Sequence, residues 1–273
     1  MIKSVITLFK DLWRNRQLIV SLSINDFKTR YAASMMGVFW AFVQPVITVL
    51  VYWFVFEKGL RVGRQAMGGV EVPFVLFLIS GLVPWFYFSD AWPNGTNSLI
   101  SYSYLVKKVV FKISILPIVK VMASIYVHMF FVAITLIIFW AYGYAPDLYS
   151  LQVVYYSFAT FVLVLGLSYI TSSIVCFFRD LTEIINILMQ ILVWVTPIMW
   201  NIETAISDGV LKTVLKLNPM YYIVSGYRNA LINKHWFWET PGETVYFWVV
   251  TLLVLGLGTL VFKRLKKHFA DVL

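Results

Sequence analysis

Charged residues are scarce in this chain of 273 residues. Asp, Glu, Lys and Arg make up only 13% of it, about half the share of ~25% that is usual in soluble domains. Hydrophobic residues make up 60%, and the mean hydropathy is +0.80. The apolar runs lack the alternation that is typical of β-barrel strands. The sequence therefore predicts an all-α integral membrane protein in which residues 1–273 form a single transmembrane domain.

Cysteine, clustered histidine and nucleotide-binding motifs are also missing. The single cysteine, Cys176, excludes an internal disulfide. His128, His235 and His268 lie too far apart in the sequence to indicate a metal site. The sequence has no Gly-x-x-x-x-Gly-Lys-Ser/Thr motif, so we expect no P-loop ATP hydrolysis and no cofactor in this chain. The first 20 residues are charged throughout and lack a cleavage site, so no cleavable signal peptide is expected.

The basic residues indicate how the chain crosses the membrane. The formal net charge is +9, but Lys and Arg cluster at the ends of apolar runs, which is a poor fit to nucleic-acid binding. About 20 apolar residues are needed for each span. The predicted spans are 36–56, 72–89, 114–142, a segment within 148–178, a segment within 184–200, and 244–262. Lys and Arg number 14 on the side of the termini and seven on the other, which predicts cytoplasmic termini.

Three segments flank or interrupt these spans. Residues 1–31 are expected to form a cytoplasmic interfacial helix and gate segment, although a soluble amphipathic helix would have the same pattern. Residues 32–262 then form the six-span bundle, and 263–273 form a cytoplasmic tail. The segment 203–243 is too polar to cross and predicts re-entrant helices, with an external loop as the alternative.

The first span follows directly on a charged helix and contains a proline. Asp26, Lys28 and Arg30 should lie at the membrane surface, and Pro45 lies beside the polar Gln44 in an apolar run. The helix break that Pro45 creates is tolerated where protein or a water-lined cavity satisfies the freed backbone group. A plain anchor helix is the alternative. Lys120 is expected to lie near the cytoplasmic end of its helix and to extend to the interface.

An ion-coupled carrier usually needs ionisable groups inside its membrane spans. Asp90, Asp180 and Glu183 are all expected at helix ends. This placement argues against an ion-driven carrier. It also argues against a membrane enzyme acting on lipid-linked sugars, which needs carboxylates or a metal that converge at the interface.

Two cytoplasmic loops and two aromatic clusters are candidate functional sites. The loops contain Lys107, Lys108, Phe111 and Lys112, and Phe178, Arg179, Asp180 and Glu183. They are either docking surfaces for a soluble partner or ordinary loops that are basic only because cytoplasmic loops carry an excess of Lys and Arg. The aromatic clusters are Trp40, Tyr52 and Trp53 in the first span and Trp85, Phe86, Tyr87 and Phe88 in the second. They are either interfacial belts or surfaces on which sugar rings stack.

The order of several short motifs resembles the permease subunits of ABC exporters for cell-surface polysaccharides. The residues that carry the resemblance are Asp26, Lys28, Arg30, Tyr31, Ser34, Gly37, Trp40, Pro45, Pro73, Gly81, Trp85, Phe86, Lys108, Phe111, Leu116, Pro117, Phe178, Arg179, Asp180, Leu181, Thr196, Pro197, Ile198, Asn218, Pro219, Met220, Tyr227, Arg228, Phe269, Ala270 and Asp271. The resemblance covers nearly the whole chain. Lys112 departs from it, because the family commonly has proline there. Residues 51–56 and the Gly59-x-Arg61 segment look most like teichoic acid permeases, while O-antigen and capsule permeases share the frame.

The resemblance implies a homodimer in the bacterial plasma membrane that works with two copies of a cytoplasmic ABC ATPase, which uses ATP and Mg²⁺. The exported substrate would be a glycan linked through a diphosphate to a polyprenyl lipid, most closely wall teichoic acid. Lys28 and Arg30 would meet the diphosphate, and the aromatic clusters would line the path. The two cytoplasmic loops would receive the ATPase stroke. Arg61, Arg64 and Arg228 would attract a polyanion at the exit.

Overall fold

The computed structural model describes residues 10–32, 35–107, 112–207 and 209–273, most of which are helical. The interfacial helix predicted within residues 1–31 lies partly outside this range. The longer helices are α1 (Arg16–Ala32), α2 (Trp40–Trp53), α3 (Phe74–Thr96), α4 (Leu116–Ala141), α5 (Gln152–Val175), α6 (Leu181–Val195), α7 (Val210–Lys216), α8 (Pro219–Arg228) and α9 (Pro241–Leu265). A short antiparallel hairpin, β1 (Gln65–Met67) with β2 (Val70–Val72), precedes α3.

Proline and asparagine mark where several helices begin. Pro73 precedes α3 in an extended conformation, and Pro117 and Pro241 lie in the first turns of α4 and α9. Proline fits these positions because its fixed φ suits a helix start and its missing N–H would have no partner there. Asn218 caps α8 by accepting a hydrogen bond from the Met220 N–H over 3.0 Å.

Helices α3 and α5 form the centre of the bundle. Most of their residues are buried, and α3 packs on α4, α5 and α8. Helix α1 packs along α4. By contrast, Ala41 is the one buried residue among the fourteen of α2. Helix α6 likewise exposes a stripe of apolar residues, namely Ile184, Ile187, Leu188, Ile191 and Trp194. The faces of α2 and α6 are thus available to lipid or to another protein.

Small residues allow α5 and α9 to approach closely. A Cβ added at Gly166 would lie 2.8 Å from the Leu255 backbone nitrogen, and one added at Gly258 would lie 2.6 Å from the Gly166 carbonyl oxygen. Tight backbone contact of this kind is typical of helix pairs in membranes, where small residues replace the hydrophobic driving force. Since no side chain fits between the two backbones, glycine is required at both positions.

Among the residues that the structure describes, five helical segments are long and apolar enough to span a membrane: Gly37–Gly59, Phe74–Thr96, Ile113–Ala141, Leu148–Val175 and Pro241–His268. They correspond to the first four predicted spans and the last one. The remaining predicted span, within 184–200, is the shorter apolar helix Leu181–Val195. It ends because Thr196, with ψ of 128°, is extended, and a residue before proline disfavours the helical conformation. The fifth predicted span, and with it the total of six, therefore stays a prediction.

Two further expectations concern the second span and segment 203–243. Helix α3 continues to Thr96 rather than ending at Ser89, so Asp90 lies inside the helix and not at its end. The prediction placed a boundary at this charge, whereas the structure pairs the charge within the bundle. In segment 203–243, α8 is buried and packs on α3 and α5. Whether this segment enters the outer leaflet stays a prediction.

Replacing Gly166 with alanine should weaken the contact between α5 and α9. The added methyl group forces the two backbones apart, and overpacking of this kind costs about 1–3 kcal/mol. We expect a lower midpoint of thermal unfolding for G166A in detergent. G242A is the matched control, because a Cβ at Gly242 meets nothing within 4 Å. Equal shifts for the two variants would contradict this account of the packing.

Candidate functional site

A buried carboxylate on α1 connects that helix to the bundle. Asp26 is 4% exposed and accepts hydrogen bonds from Lys120 Nζ over 2.6 Å and from the Tyr102 hydroxyl over 2.7 Å. Lys120 also lies 5.0 Å from the centre of the Tyr102 ring. The Arg30 guanidinium lies 3.4 Å from the second Asp26 oxygen. These contacts neutralise a charge that is costly to bury alone.

A second carboxylate, Asp90 on α3, lies on the other side of Arg30. Arg30 Nη1 donates to its two oxygens over 3.0 and 3.3 Å. Asn94 donates to it over 2.8 Å, and the Ser124 hydroxyl of α4 donates as well. Asp26, Arg30, Asp90 and Lys120, hereafter the charge network, therefore link α1, α3 and α4. Two positive and two negative residues give the network no formal net charge.

The charge network corrects two sequence-based expectations. Lys120 was expected to extend to the interface, but its side chain is 14% exposed and is paired with Asp26. Arg30 was expected to meet a lipid diphosphate, but its guanidinium contacts Asp26 and Asp90. Lys28 is exposed. Carboxylates also converge near the start of the first span, contrary to the expectation of none, although both are paired with cations.

A cavity of about 340 Å³ adjoins the network and is bounded by α2, α3 and α4. We call it the Pro45 cavity. Its lining combines aromatic and polar side chains; it includes Trp40, Gln44, Pro45, Thr48, Phe86, Tyr87, Ser89, Asp90, Ser124, His128 and Phe131. Pro45 thus borders a cavity, which is one of the two surroundings, packed protein or a water-lined cavity, in which a break in the first span is tolerated.

One wall of the Pro45 cavity is fixed by hydrogen bonds deeper in the bundle. The His128 ring stacks on Tyr87 with centroids 4.7 Å apart. Its Nε2 lies 2.9 Å from the Ser157 hydroxyl and 3.0 Å from the Tyr227 hydroxyl. Tyr227 belongs to α8, so this chain of contacts runs from the cavity to the helix between α7 and α9. The His128 side chain is therefore part of a packed polar cluster rather than isolated.

The predicted aromatic clusters divide among several environments. Trp40, Phe86 and Tyr87 line the Pro45 cavity. Tyr52, Trp85 and Phe86 line a second cavity of about 260 Å³ that also borders Met189 and Val193 of α6. Phe88 is instead a core residue that contacts Trp85 and Trp92, and Trp53 donates a hydrogen bond to Glu57 over 2.7 Å. The structure thus brings most of the two clusters together along α2 and α3.

The two predicted docking loops lie at the same end of the bundle. Phe178, Arg179, Asp180 and Glu183 are exposed around the start of α6. The Thr182 hydroxyl donates to the Asn97 side chain over 2.9 Å and fixes this turn to the end of α3. In the other loop, Lys107 is exposed, and Lys112 pairs with Asp11 over 2.6 Å. Lys108 and Phe111 lie outside the described residues.

The three arginines predicted to attract a polyanion differ in exposure. Arg61 and Arg64 are exposed. Arg228 is 4% exposed and donates to the Pro197 and Ile198 carbonyls over 2.7 Å each. Its guanidinium also lies 3.7 Å from the centre of the Phe77 ring. Arg228 is therefore a structural residue that satisfies the backbone after α6, and its placement on the outer surface was wrong.

An exposed carboxylate between the spans also binds lysines. Glu203 lies 2.5 Å from Lys212 Nζ and 3.2 Å from Lys216 Nζ. The hydrogen bond from Lys212 is the largest influence on Glu203 and holds the pKa of its carboxyl group below the usual value. Both lysines belong to the basic residues on the predicted outer side. Each therefore already forms an ion pair with Glu203.

Sequence reasoning missed Asp90, Asn94 and Ser124 as members of one site. The available signal was Lys120, a charge inside an apolar run, because such a residue is expected to have an intramembrane partner. Its partner could not be chosen from the sequence, since Asp26 precedes it by 94 residues. Only the packing of α1 on α4 brings the two together.

Comparison with known proteins agrees with this architecture. Residues 17–232 match the ABC-2 type transporter family. An O-antigen export system permease protein from Klebsiella pneumoniae is 27% identical over 258 residues, which cover 94% of this chain and 95% of the relative. A second such permease from the same organism is 26% identical over 265 residues, with 94% and 95% covered. One from Myxococcus xanthus is 26% identical over 268 residues, with 98% and 99% covered.

The chain belongs to the ABC-2 type transporter family, since the match covers well over half of its length. It is a multi-pass membrane permease, a transport subunit rather than an enzyme, and its ATPase is a separate cytoplasmic subunit. The resemblance seen in the sequence is thereby confirmed at the level of the family.

Removing the Lys120 charge should destabilise the fold strongly. Lys120→Met leaves Asp26 buried beside one fewer cation, and breaking a buried pair costs about 3–5 kcal/mol. We expect a clearly lower midpoint of thermal unfolding in detergent. The control Lys58→Met removes a lysine whose contact with Glu57 is long, at 3.9 Å, and whose side chain is 57% exposed. Similar midpoints for the two variants would refute the structural role of the charge network.

Proposed function

We propose that this chain is the membrane-spanning subunit of an ATP-driven exporter for a lipid-linked cell-surface polysaccharide. The observation that carries the proposal is the match to O-antigen export permeases over at least 94% of the chain. The aromatic cavities beside α2 and α3 support it, because flat rings offer stacking surfaces for sugars. Two such subunits would face each other across the path.

The relatives favour an O-antigen type of polymer over wall teichoic acid. All three named relatives carry O-antigen export in their description. The teichoic acid expectation depends on residues 51–56 and the Gly59-x-Arg61 segment alone. It also called for a basic exit surface, and the burial of Arg228 removes one of the three arginines from that surface. Teichoic acid export therefore stays a weaker candidate.

The exposed charges suggest how the subunit meets its lipid substrate and its ATPase. Lys28 is exposed on α1, so it is the better placed of the two predicted diphosphate contacts, since Arg30 binds two carboxylates. The turn with Arg179, Asp180 and Glu183 would receive the motion of the ATPase. Because the Thr182 hydroxyl donates a hydrogen bond to the Asn97 side chain, a displacement of this turn would also move the end of α3.

Reconstitution with the partner ATPase tests this function. In proteoliposomes, we expect movement of a polyprenyl diphosphate glycan to require both ATP and the ATPase, and the permease to stimulate hydrolysis. Lys28→Glu should slow this movement several-fold, because an acidic residue there repels the diphosphate. Lys267→Glu is the control, since Lys267 is an exposed lysine of the tail.

Transport that proceeds without the ATPase would contradict the proposed function. Equal effects of Lys28→Glu and Lys267→Glu would instead contradict only the role of Lys28. Phosphate-rich and neutral glycans supplied on the same lipid would separate the two substrate candidates.

A further inference from the structure

The Pro45 cavity has a hydrogen-bonding side chain that the fold does not use. The Gln44 amide lines the cavity beside Pro45 and is exposed. Within the part of the chain that the structure describes, this amide makes no hydrogen bond. Its carbonyl and its NH₂ group thus offer both an acceptor and donors on the wall that α2 provides.

Aromatic side chains from all three helices line the same cavity. Trp40 of α2 is 47% exposed, and Phe86 and Tyr87 of α3 and Phe131 of α4 also line the cavity. Packing an apolar surface against an exposed indole face is favourable, because it removes apolar area from water. A pyranose ring has such a surface on its C–H face and hydroxyl groups around its edge. It therefore matches the mixed lining better than a wholly apolar lipid chain does.

The charged residues at the cavity favour neutral sugars over anionic ones. Asp90 is a carboxylate in the lining, and Arg30, its partner, is shared with Asp26. Because the charge network has no formal net charge, an anionic ligand gains no net attraction from it and meets the Asp90 carboxylate directly. The volume of about 340 Å³ lies near the lower limit for small-molecule pockets, about 300 Å³, which suits one ring rather than a long chain.

We propose that the Pro45 cavity binds one uncharged pyranose ring of the transported glycan and disfavours sugars that carry phosphate or carboxylate. This proposal rests on the proposed function and specifies the ligand class for one place within each subunit. Trp40 stacks on the ring, and Gln44 bonds its hydroxyl groups. A hydroxyl that bonds Asp90 competes with Arg30, Asn94 and Ser124, which already donate to that carboxylate. A bound ring thereby weakens the contact that Arg30 of α1 makes with Asp90.

Ligand binding can be measured without transport. The full chain, in complex with its ATPase in lipid nanodiscs, is examined by saturation-transfer NMR with the methyl glycosides of glucose, galactose, mannose and N-acetylglucosamine. Glucose 6-phosphate and glucuronate serve as anionic probes. We expect transfer to at least one neutral glycoside and at least fivefold less to either anion. Trp40→Ala and Gln44→Ala should each weaken binding of the neutral probe about tenfold, equivalent to ~1.4 kcal/mol.

Trp140→Ala is the matched control, because Trp140 is 67% exposed and does not line the Pro45 cavity. Helical circular dichroism and a single elution peak establish that each variant is folded. Gln44→Leu replaces Gln44→Ala if the smaller residue disturbs the span. Absence of transfer to every neutral glycoside, equal transfer to the anions, or equal losses in the Trp40 and Trp140 variants would overturn the proposal. ATP-dependent export that persists in that case would leave the proposed function intact.

Discussion

The ion pair between Asp26 and Lys120 is the contact on which the arrangement of the charged helix and the apolar bundle depends. Its atoms lie 2.6 Å apart, and both side chains are largely buried. Neither charge could remain there alone, because burying an isolated ion costs several kcal/mol. Arg30 extends the pair to Asp90 on α3. Helix α1 is therefore bound to two membrane helices by charge compensation in addition to apolar packing.

This constraint affects the neighbouring elements. Asp90 can lie inside α3 because Arg30 neutralises it, and α3 can then continue to Thr96 beside the exposed turn at the start of α6. Helix α2 remains at the edge of the bundle with Ala41 as its one fully buried residue, and the Pro45 cavity forms between it and the helices that carry the network. Helix α1, the Pro45 cavity and the exposed turn at the start of α6 are thus connected through α3.

Much of the fold followed from hydropathy, and much of the site did not. The first four predicted spans and the last correspond to long uncharged runs. A segment inside the membrane has no water to bind its backbone groups, so it forms a continuous helix. The predicted end of the second span at Ser89 was wrong because a single charge was taken as a boundary. Pairs such as Asp26 with Lys120 depend on the packing of distant segments, which local patterns do not encode. Arg228 shows the same limit, since its burial depends on carbonyls that Pro197 and Ile198 expose.

A double-mutant cycle between Asp26 and Lys120 tests the central claim most directly. The free energy of unfolding in detergent would be measured for the original chain, Asp26→Asn, Lys120→Met and the combined variant. If the pair couples α1 to α4, the two single losses should not add, and the coupling energy should exceed about 1 kcal/mol, as for contacting residues. Additive effects, within about 0.3–0.5 kcal/mol, would contradict the account and reduce the charge network to independent surface contacts.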